Sequence, residues 1–142
     1  MSLKLVPVLN PDETEFHKNA LFLYDLLKDR DPAANISHRS VPPFYQHLAF
    51  IQSQPYEGWY IADLDGEKIA SVYLTRQDEI GIFLVRDKQG QGLGTRVLNL
   101  LMAEHPRKRY LANVAPGNED STRFFVGQGF RHIQNTYELR AQ

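Results

Sequence analysis

Between Val85 and Thr95 the chain reads Val-Arg-Asp-Lys-Gln-Gly-Gln-Gly-Leu-Gly-Thr, with three glycines at alternate positions just ahead of a helical apolar pattern. Such a segment leaves a strand and enters a helix. Without a Cβ its backbone can close on an anion, and unpaired amides at a helix N-terminus point at phosphate oxygens. Two nucleotide-binding patterns fail here. A Walker loop needs Lys and then Ser or Thr after its last glycine, whereas Gly94 is followed by Thr95 and Arg96. A dinucleotide fingerprint needs glycine at 90, 92 and 95, but position 95 is Thr, and no early βαβ unit precedes the loop. A glycine-rich turn holding no ligand is the alternative, although a purely structural turn has little need of three glycines. The chain has no cysteine, which removes thiolate nucleophiles, disulfides and thiolate metal sites. None of its five histidines pairs with a second His or an acid at ligand spacing, so no metal site is expected.

The elements that must hold this loop follow from periodicity. Leu3, Leu5 and Val8 suggest a first strand closed by Pro11, with Pro7 making it an edge. Asp12 is a candidate N-cap for a helix whose apolar residues Phe16, Ala20, Leu23, Tyr24 and Leu27 share a face and which ends before Pro32. Pro42 and Pro43 open a second helix, with Phe44, His47, Leu48 and Ile51 on one face, stopped by Pro55. Trp59 to Leu64 and Lys68 to Thr75 read as a hairpin about Asp65-Gly66, and Glu79 to Val85 is a third strand leading into the glycine loop. Gly92 to His105 is a helix with Leu93, Val97, Leu98, Leu101 and Met102 on its buried stripe. Tyr110 to Ala115 is a strand, Asn118 to Gln128 a short helix ended by Gly129, and Phe130 to Leu139 a terminal strand or hairpin arm with Asn135 as a candidate turn.

The 142 residues, 42% of them hydrophobic, suffice for one buried core, and residues 1–142 read as a single α/β or α+β domain. The net charge is -1 with both signs interspersed, so neither a nucleic acid nor an anionic membrane is an expected partner. No run is long enough for a membrane span and no basic-then-apolar leader is seen, which makes a cytoplasmic location the default.

Gln89-x-x-Gly92-x-Gly94 resembles the pyrophosphate loop of the GCN5-related N-acetyltransferase superfamily. A second segment agrees: Asn118-x-x-Ser121-x-x-Phe124-Phe125-x-x-x-Gly129-Phe130 is similar to that superfamily's late helix, with one strand between the two motifs. The likeness is specific over Glu79 to Phe130 and rests on element order before it. It implies a mixed, mostly antiparallel sheet whose fourth and fifth strands splay apart, flanked by helices. It implies acetyl-coenzyme A as cofactor, with its pyrophosphate on Gln89, Gly90, Gln91, Gly92, Leu93, Gly94 and Thr95. Backbone groups of Phe83, Leu84 and Val85 are implied to meet the pantetheine amides and the developing oxyanion.

Acetyl transfer from a thioester needs an unprotonated amine, stabilisation of the carbonyl oxygen and departure of a thiolate. A Glu placed like Glu79 serves as base in many members of the superfamily; on alternation it shares a face with Gly81 and Phe83, and otherwise it is an exposed strand-end carboxylate. The thiolate is the departure from pattern. Where many members carry Tyr in the late aromatic pair, this chain has Phe125, which has no proton to give and is expected to pack on the cofactor. Either the thiolate leaves unassisted or Tyr110 or Tyr137 reaches the sulfur. Asn118 can hydrogen-bond the cofactor or orient a water, or it can cap the late helix, and these roles are compatible. Arg107, Lys108 and Arg109 either meet a coenzyme A phosphate or complement a helix C-terminus.

The acceptor is expected to be a primary amine of a small molecule or a peptide, and the early helices bear a faint resemblance to branches acting on amino sugars or protein N-termini. His38 and Arg39 fall where acceptors enter in the superfamily. Tyr60, Tyr73 and Arg76, with Trp59, would suit a polar ring, or they are core and rim residues. The rival function is a non-catalytic acyl-coenzyme A sensor, and either a monomer or a homodimer is compatible with the sequence.

Overall fold

The computed structural model describes residues 2–29 and 41–141. Its elements in chain order are β1 (Leu3–Pro7), α1 (Glu13–Lys28), α2 (Phe44–Gln52), β2 (Gly58–Leu64), β3 (Glu67–Leu74), β4 (Glu79–Leu84), α3 (Leu93–Glu104), β5 (Leu111–Ala112) and α4 (Glu119–Gly127). A single 3-10 turn, Arg86–Lys88, joins β4 to the glycine loop. The strands form one sheet in sequential order, antiparallel from β1 to β4 and parallel only between β4 and β5. This is the mixed, mostly antiparallel sheet expected.

Local chemistry explains the boundaries. The Asp12 carboxylate accepts from the Thr14 and Glu15 amides at 2.8 and 3.1 Å, so α1 starts with two of its orphan donors satisfied. Proline at 43 is tolerated ahead of α2 because the first turn needs no backbone donor there. Each face of the sheet then meets its own helices. On one, Ala62, Ala70, Val72, Leu74 and Ile80 pack with Leu93, Val97, Leu98 and Leu101 of α3. On the other, Ile61 and Trp59 meet Ala20 and Leu23 of α1 and Ile51, Phe44 and Leu48 of α2.

Two expectations are corrected. The strand drawn from Tyr110 to Ala115 contracts to Leu111–Ala112, because only Glu79↔Leu111 and Ile80↔Ala112 are paired before the chains separate. The terminal strand from Phe130 to Leu139 is absent: among the described residues 131–141 makes only hydrogen bonds two residues apart, such as Gln134 to Thr136, and every side chain there is exposed. Alternating polarity alone forms no strand without an edge to pair with.

Candidate active site

The separation of β4 from β5 creates the site. Thr75 N–H donates to Glu79 O at 2.8 Å and Val85 N–H to Ile69 O at 2.9 Å, so odd-numbered peptide groups of β4 are sewn to β3. Peptide groups alternate in an extended ladder, so Ile80, Ile82 and Leu84 turn theirs to the opposite side. Ile80 meets β5 there, whereas Ile82 and Leu84 lie past the last pair and face the opening. Side chains follow the complementary pattern. Ile80, Ile82 and Leu84 join the α3 core, and Glu79, Gly81 and Phe83 point to the face that carries α1 and α2.

This parity corrects the set of backbone groups expected to meet a ligand. Phe83 and Val85 direct their peptides at β3. Leu84 faces the opening, but its carbonyl already accepts from Gln89 Nε2 at 3.2 Å. Ile82, which the sequence reading missed, presents both its N–H and its C=O. Strand parity counted from Glu79 would have found it.

At the open end lies the glycine loop. Gly90 and Gly92 adopt φ of +75° and +78°, in the left-handed region that disfavours a side chain. A Cβ on either would meet nothing within 4 Å, so the space beside the loop is clear. Gly92 caps α3 with no side-chain acceptor, and the backbone N–H groups of Gly90, Gln91, Gly92 and Leu93 bond to nothing among the described residues. These bare amides at the head of a 12-residue helix fit an anion such as a pyrophosphate. Gly94 serves a different purpose, because a Cβ there would stand 3.0 Å from Phe124 Cε1, so close that the ring would have to shift by a few tenths of an ångström. Thr95 accepts from Gln128 Nε2 at 2.7 Å, a second tie between those helices. The Gln91 side chain is folded onto the Asp87 carbonyl at 2.7 Å.

At the closed end lies Glu79, half-buried. Its Oε2 accepts from Asn113 Nδ2 at 2.6 Å and its Oε1 from the Thr75 hydroxyl at 3.2 Å, while its own N–H donates to Thr75 Oγ1 at 3.1 Å. Asn113 is the first residue after the last β4–β5 pair, so its side chain bridges the strands where they part. Neither Asn113 nor Thr75 was singled out from sequence; their partnership with Glu79 is a long-range product of the parallel pairing. Each Glu79 oxygen keeps acceptor capacity beyond these bonds, as a carboxylate has about four lone-pair positions.

Tyr73 pairs with Gly81 on the Glu79 face, and its ring covers the place a Gly81 Cβ would occupy. It stacks on Tyr56 with centroids 3.9 Å apart, and Tyr56 meets Trp59 edge-on at 4.9 Å, forming an aromatic wall beside the carboxylate. Tyr60 is not part of it. A bulge between Ala62 and Asp63 sets Tyr60 opposite Val72, on the α3 face, where its hydroxyl lies 2.7 Å from His105 Nε2. Burial, with the Glu104 charge as the lesser cause, pushes the Tyr60 hydroxyl above its ordinary value. Arg76 also departs from expectation: Nη1 and Nη2 donate to the carbonyls of Pro55 and Gln54 at 3.0 and 3.1 Å, fastening the α2–β2 connection. His38 and Arg39 lie outside the described residues.

The remaining candidates resolve into structural contacts. Asn118 Oδ1 accepts from Ser121 N–H at 3.2 Å, capping α4. Phe125 is buried between Phe124 and Phe130, each at a centroid distance of 5.1 Å. The Tyr110 hydroxyl donates to the His105 carbonyl at 2.6 Å and accepts from Arg107 N–H at 3.0 Å, which fixes it beneath the end of α3. Tyr137 stands 88% exposed on the terminal segment. Arg107 pairs with Asp78 at 3.0 Å, at the end of α3 remote from the glycine loop, so it is not a phosphate ligand there. Among the described residues no cluster of three or more His, Asp or Glu could hold a metal, and no helix is long and apolar enough to cross a membrane.

Residues 20–130 match the family model described as Acetyltransferase (GNAT) family. No curated protein is significantly similar to the chain. Among solved structures, an acetyltransferase from Thermus thermophilus is 22% identical, with 95% of this chain and 90% of that one covered at a TM-score of 0.71. An aminoglycoside N-acetyltransferase in complex with CoA is 14% identical, with coverage of 99% and 94% and a TM-score of 0.70. A ribosomal-protein-alanine N-acetyltransferase from Brucella melitensis biovar Abortus 2308 is 15% identical, with 99% of each chain covered and a TM-score of 0.67. At these identities the likeness concerns the fold.

Proposed function

Since the chain belongs to the GNAT acetyltransferase family, we propose that it transfers the acetyl group of acetyl-CoA directly to a primary amine of a small molecule or a peptide. One observation carries this reading: four backbone amides without partners among the described residues head α3 at one end of the β4–β5 opening, and a doubly hydrogen-bonded carboxylate stands at the other. The five residue steps from Ile80 to Val85 span about 17 Å of extended chain, room for an elongated acyl carrier between loop and carboxylate.

Bound acetyl-CoA would supply a thioester carbon open to attack and a thiolate as leaving group. The Gly90 to Leu93 amides hold its pyrophosphate, and the free N–H and C=O of Ile82 serve the amides and carbonyl of the arm lying along β4. Glu79 accepts the proton that the amine must lose, directly or through a water, while Asn113 and Thr75 fix the carboxylate in place. Tyr73 and Trp59 offer the acceptor an aromatic surface next to that base. No described side chain is assigned to protonate the sulfur: Phe125 has no donor and the Tyr110 hydroxyl is engaged elsewhere. A thiolate is a weak enough base to depart alone.

The aminoglycoside and ribosomal-protein-alanine N-acetyltransferases of the same fold motivate two acceptor classes, amino sugars and protein N-termini. A thiol-release assay with acetyl-CoA over aminoglycosides, amino-sugar nucleotides, polyamines and peptides tests the proposal. Release dependent on any one amine is the expected result. Tight binding of acetyl-CoA with no release for every amine would instead mark an acyl-CoA sensor.

A further inference from the structure

We infer that, with Glu79 acting as the base proposed above, Asp78 and Arg107 are a positioning pair that fixes β5 beside β4 and so brings Asn113 to the Glu79 carboxylate. The turn ahead of Glu79 carries an unexpected residue. Asp78 N–H donates to the Thr75 carbonyl at 3.1 Å, and Thr75 N–H to the Glu79 carbonyl at 2.8 Å, which closes the β3–β4 hairpin over three residues. In such a connection a tight turn is followed by one left-handed residue, where glycine is the unstrained choice. This chain has aspartate there, at φ +64°. A side chain held in that region persists where its surroundings make use of it.

What Asp78 has and glycine lacks is a carboxylate, and that carboxylate is engaged. Its Oδ1 accepts from Arg107 Nε at 3.0 Å, while Arg107 Nη2 stands 3.8 Å from Glu57 Oε1 on the α2–β2 connection. Arg107 is itself fastened, because its N–H donates to the Tyr110 hydroxyl at 3.0 Å. Four residues further on, Leu111 N–H donates to the Asp78 carbonyl at 2.8 Å. Asp78 therefore holds the approach to β5 with its side chain and the first residue of β5 with its main chain.

β5 needs this help. Its ladder with β4 has only two pairs, Glu79↔Leu111 and Ile80↔Ala112, too few to fix a register firmly. Asn113 comes next, with Nδ2 2.6 Å from Glu79 Oε2, so any sway of β5 is felt at the carboxylate. The other side of the turn is tied by Arg76, which donates to the carbonyls of Gln54 and Pro55. The turn that carries Thr75 and leads into Glu79 is thus held between two arginines.

Asp78→Gly separates the conformational role of this residue from its charge. Glycine suits φ +64° and keeps the carbonyl that Leu111 uses, but it deletes the partner of Arg107. The melting temperature should change little, because relief of the left-handed strain opposes loss of a part-exposed ion pair. Hydrogen exchange followed by NMR should quicken about threefold to tenfold at the Leu111 amide and the Asn113 side-chain amide, and stay unchanged in β2 and β3. Arg107→Ala should do the same, and Asp78→Gly made in that background should add nothing. These readouts need no acceptor: should no amine be turned over, the acetyl-transfer reading fails while exchange still decides whether the pair fixes β5. With a responsive amine, Asp78→Gly should lower kcat by a similar factor and leave KM for acetyl-CoA in place. Faster exchange throughout the sheet, unchanged exchange at Leu111 and Asn113, or faster exchange there with full kcat overturns the positioning role.

Discussion

Asn113→Ala removes the 2.6 Å donor to Glu79 Oε2 and leaves the glycine loop untouched. A hydrogen bond to a charged group contributes about 1.5–3 kcal/mol. At 1.36 kcal/mol per decade of rate, that range corresponds to about 10- to 150-fold. Asn113 is exposed, so water can partly replace its amide, and the loss in kcat/KM for the amine should fall near the lower bound of about tenfold. If Glu79 is the proposed base, Asn113 acts through it as a positioning residue, and its effect must depend on that carboxylate. Glu79→Gln alone should cost about 100-fold or more, as expected for a positioned base. In the Glu79→Gln background, Asn113→Ala should change the rate by less than about twofold. Steady-state kinetics of the four proteins of this cycle, with calorimetric binding of CoA as a control, give the answer. Equal losses from Asn113→Ala in both backgrounds, or a matching loss of CoA affinity, would refute the positioning argument.

Three further perturbations probe other parts of the molecule. Gly92→Val places a β-branched residue at φ +78°, a left-handed conformation costing about 1–2 kcal/mol, and fills the clear space beside the bare amides. Calorimetry should show no heat with CoA while the circular dichroism spectrum persists, and full affinity would remove the loop from the site. Gly81→Ala drives a methyl into the Tyr73 ring and so breaks its stack on Tyr56; overpacking of this kind costs about 1–3 kcal/mol. It should lower the melting temperature and raise KM for the amine without altering CoA affinity. His47 is buried with Nε2 unpartnered, and desolvation, opposed by its bond to the Ala20 backbone, holds its pKa below the ordinary 6.5. The unfolded chain then binds the proton more readily than the folded one, so His47 should withdraw stability as pH falls below 6.5 and have no effect above it. His47→Phe should flatten the melting temperature between about pH 7 and 5, and an unchanged pH slope would exclude this source.

Local signals were legible where the physics is local. Asp12 capping α1, the Asp65-Gly66 turn and the approach to α3 through Gly92 all follow from nearby residues. The site's long-range partners were not. Tyr60 and Tyr73 group together if the hairpin is counted outward from its turn, since an unbroken register from Leu64↔Glu67 and Asp63↔Lys68 would set Tyr60 opposite Ser71, on the Tyr73 face. The extra residue at the Ala62/Asp63 bulge moves Tyr60 opposite Val72 and into the other layer. Asn113 was invisible for a related reason, because a strand of two paired residues announces neither its partner nor the point at which the pairing stops. The terminal segment shows the converse failure: its alternating pattern suggests a strand, but pattern cannot say which edge will receive it.

The division of roles along β4 follows from the same parity. Any strand sends side chains alternately to two faces and peptide groups alternately to two neighbours. With β5 paired at only two positions, the even residues of β4 keep their side chains in the α3 core, and the peptide groups of Ile82 lie past the last pair. The odd residues, Glu79, Gly81 and Phe83, keep their peptides on β3 and face the side that carries α1 and α2. One six-residue strand thus divides the α3 core and the β3 ladder between its two parities. A substitution at Ile82 should therefore act on packing through its side chain and leave its peptide, the group proposed to meet the ligand, in place. Ile82→Val, at a cost of about 0.5–1.5 kcal/mol in stability, should leave kcat for the amine unchanged in assays below the melting temperature. A large loss of kcat at full folding would mean that the side chain, and not the backbone, faces the opening.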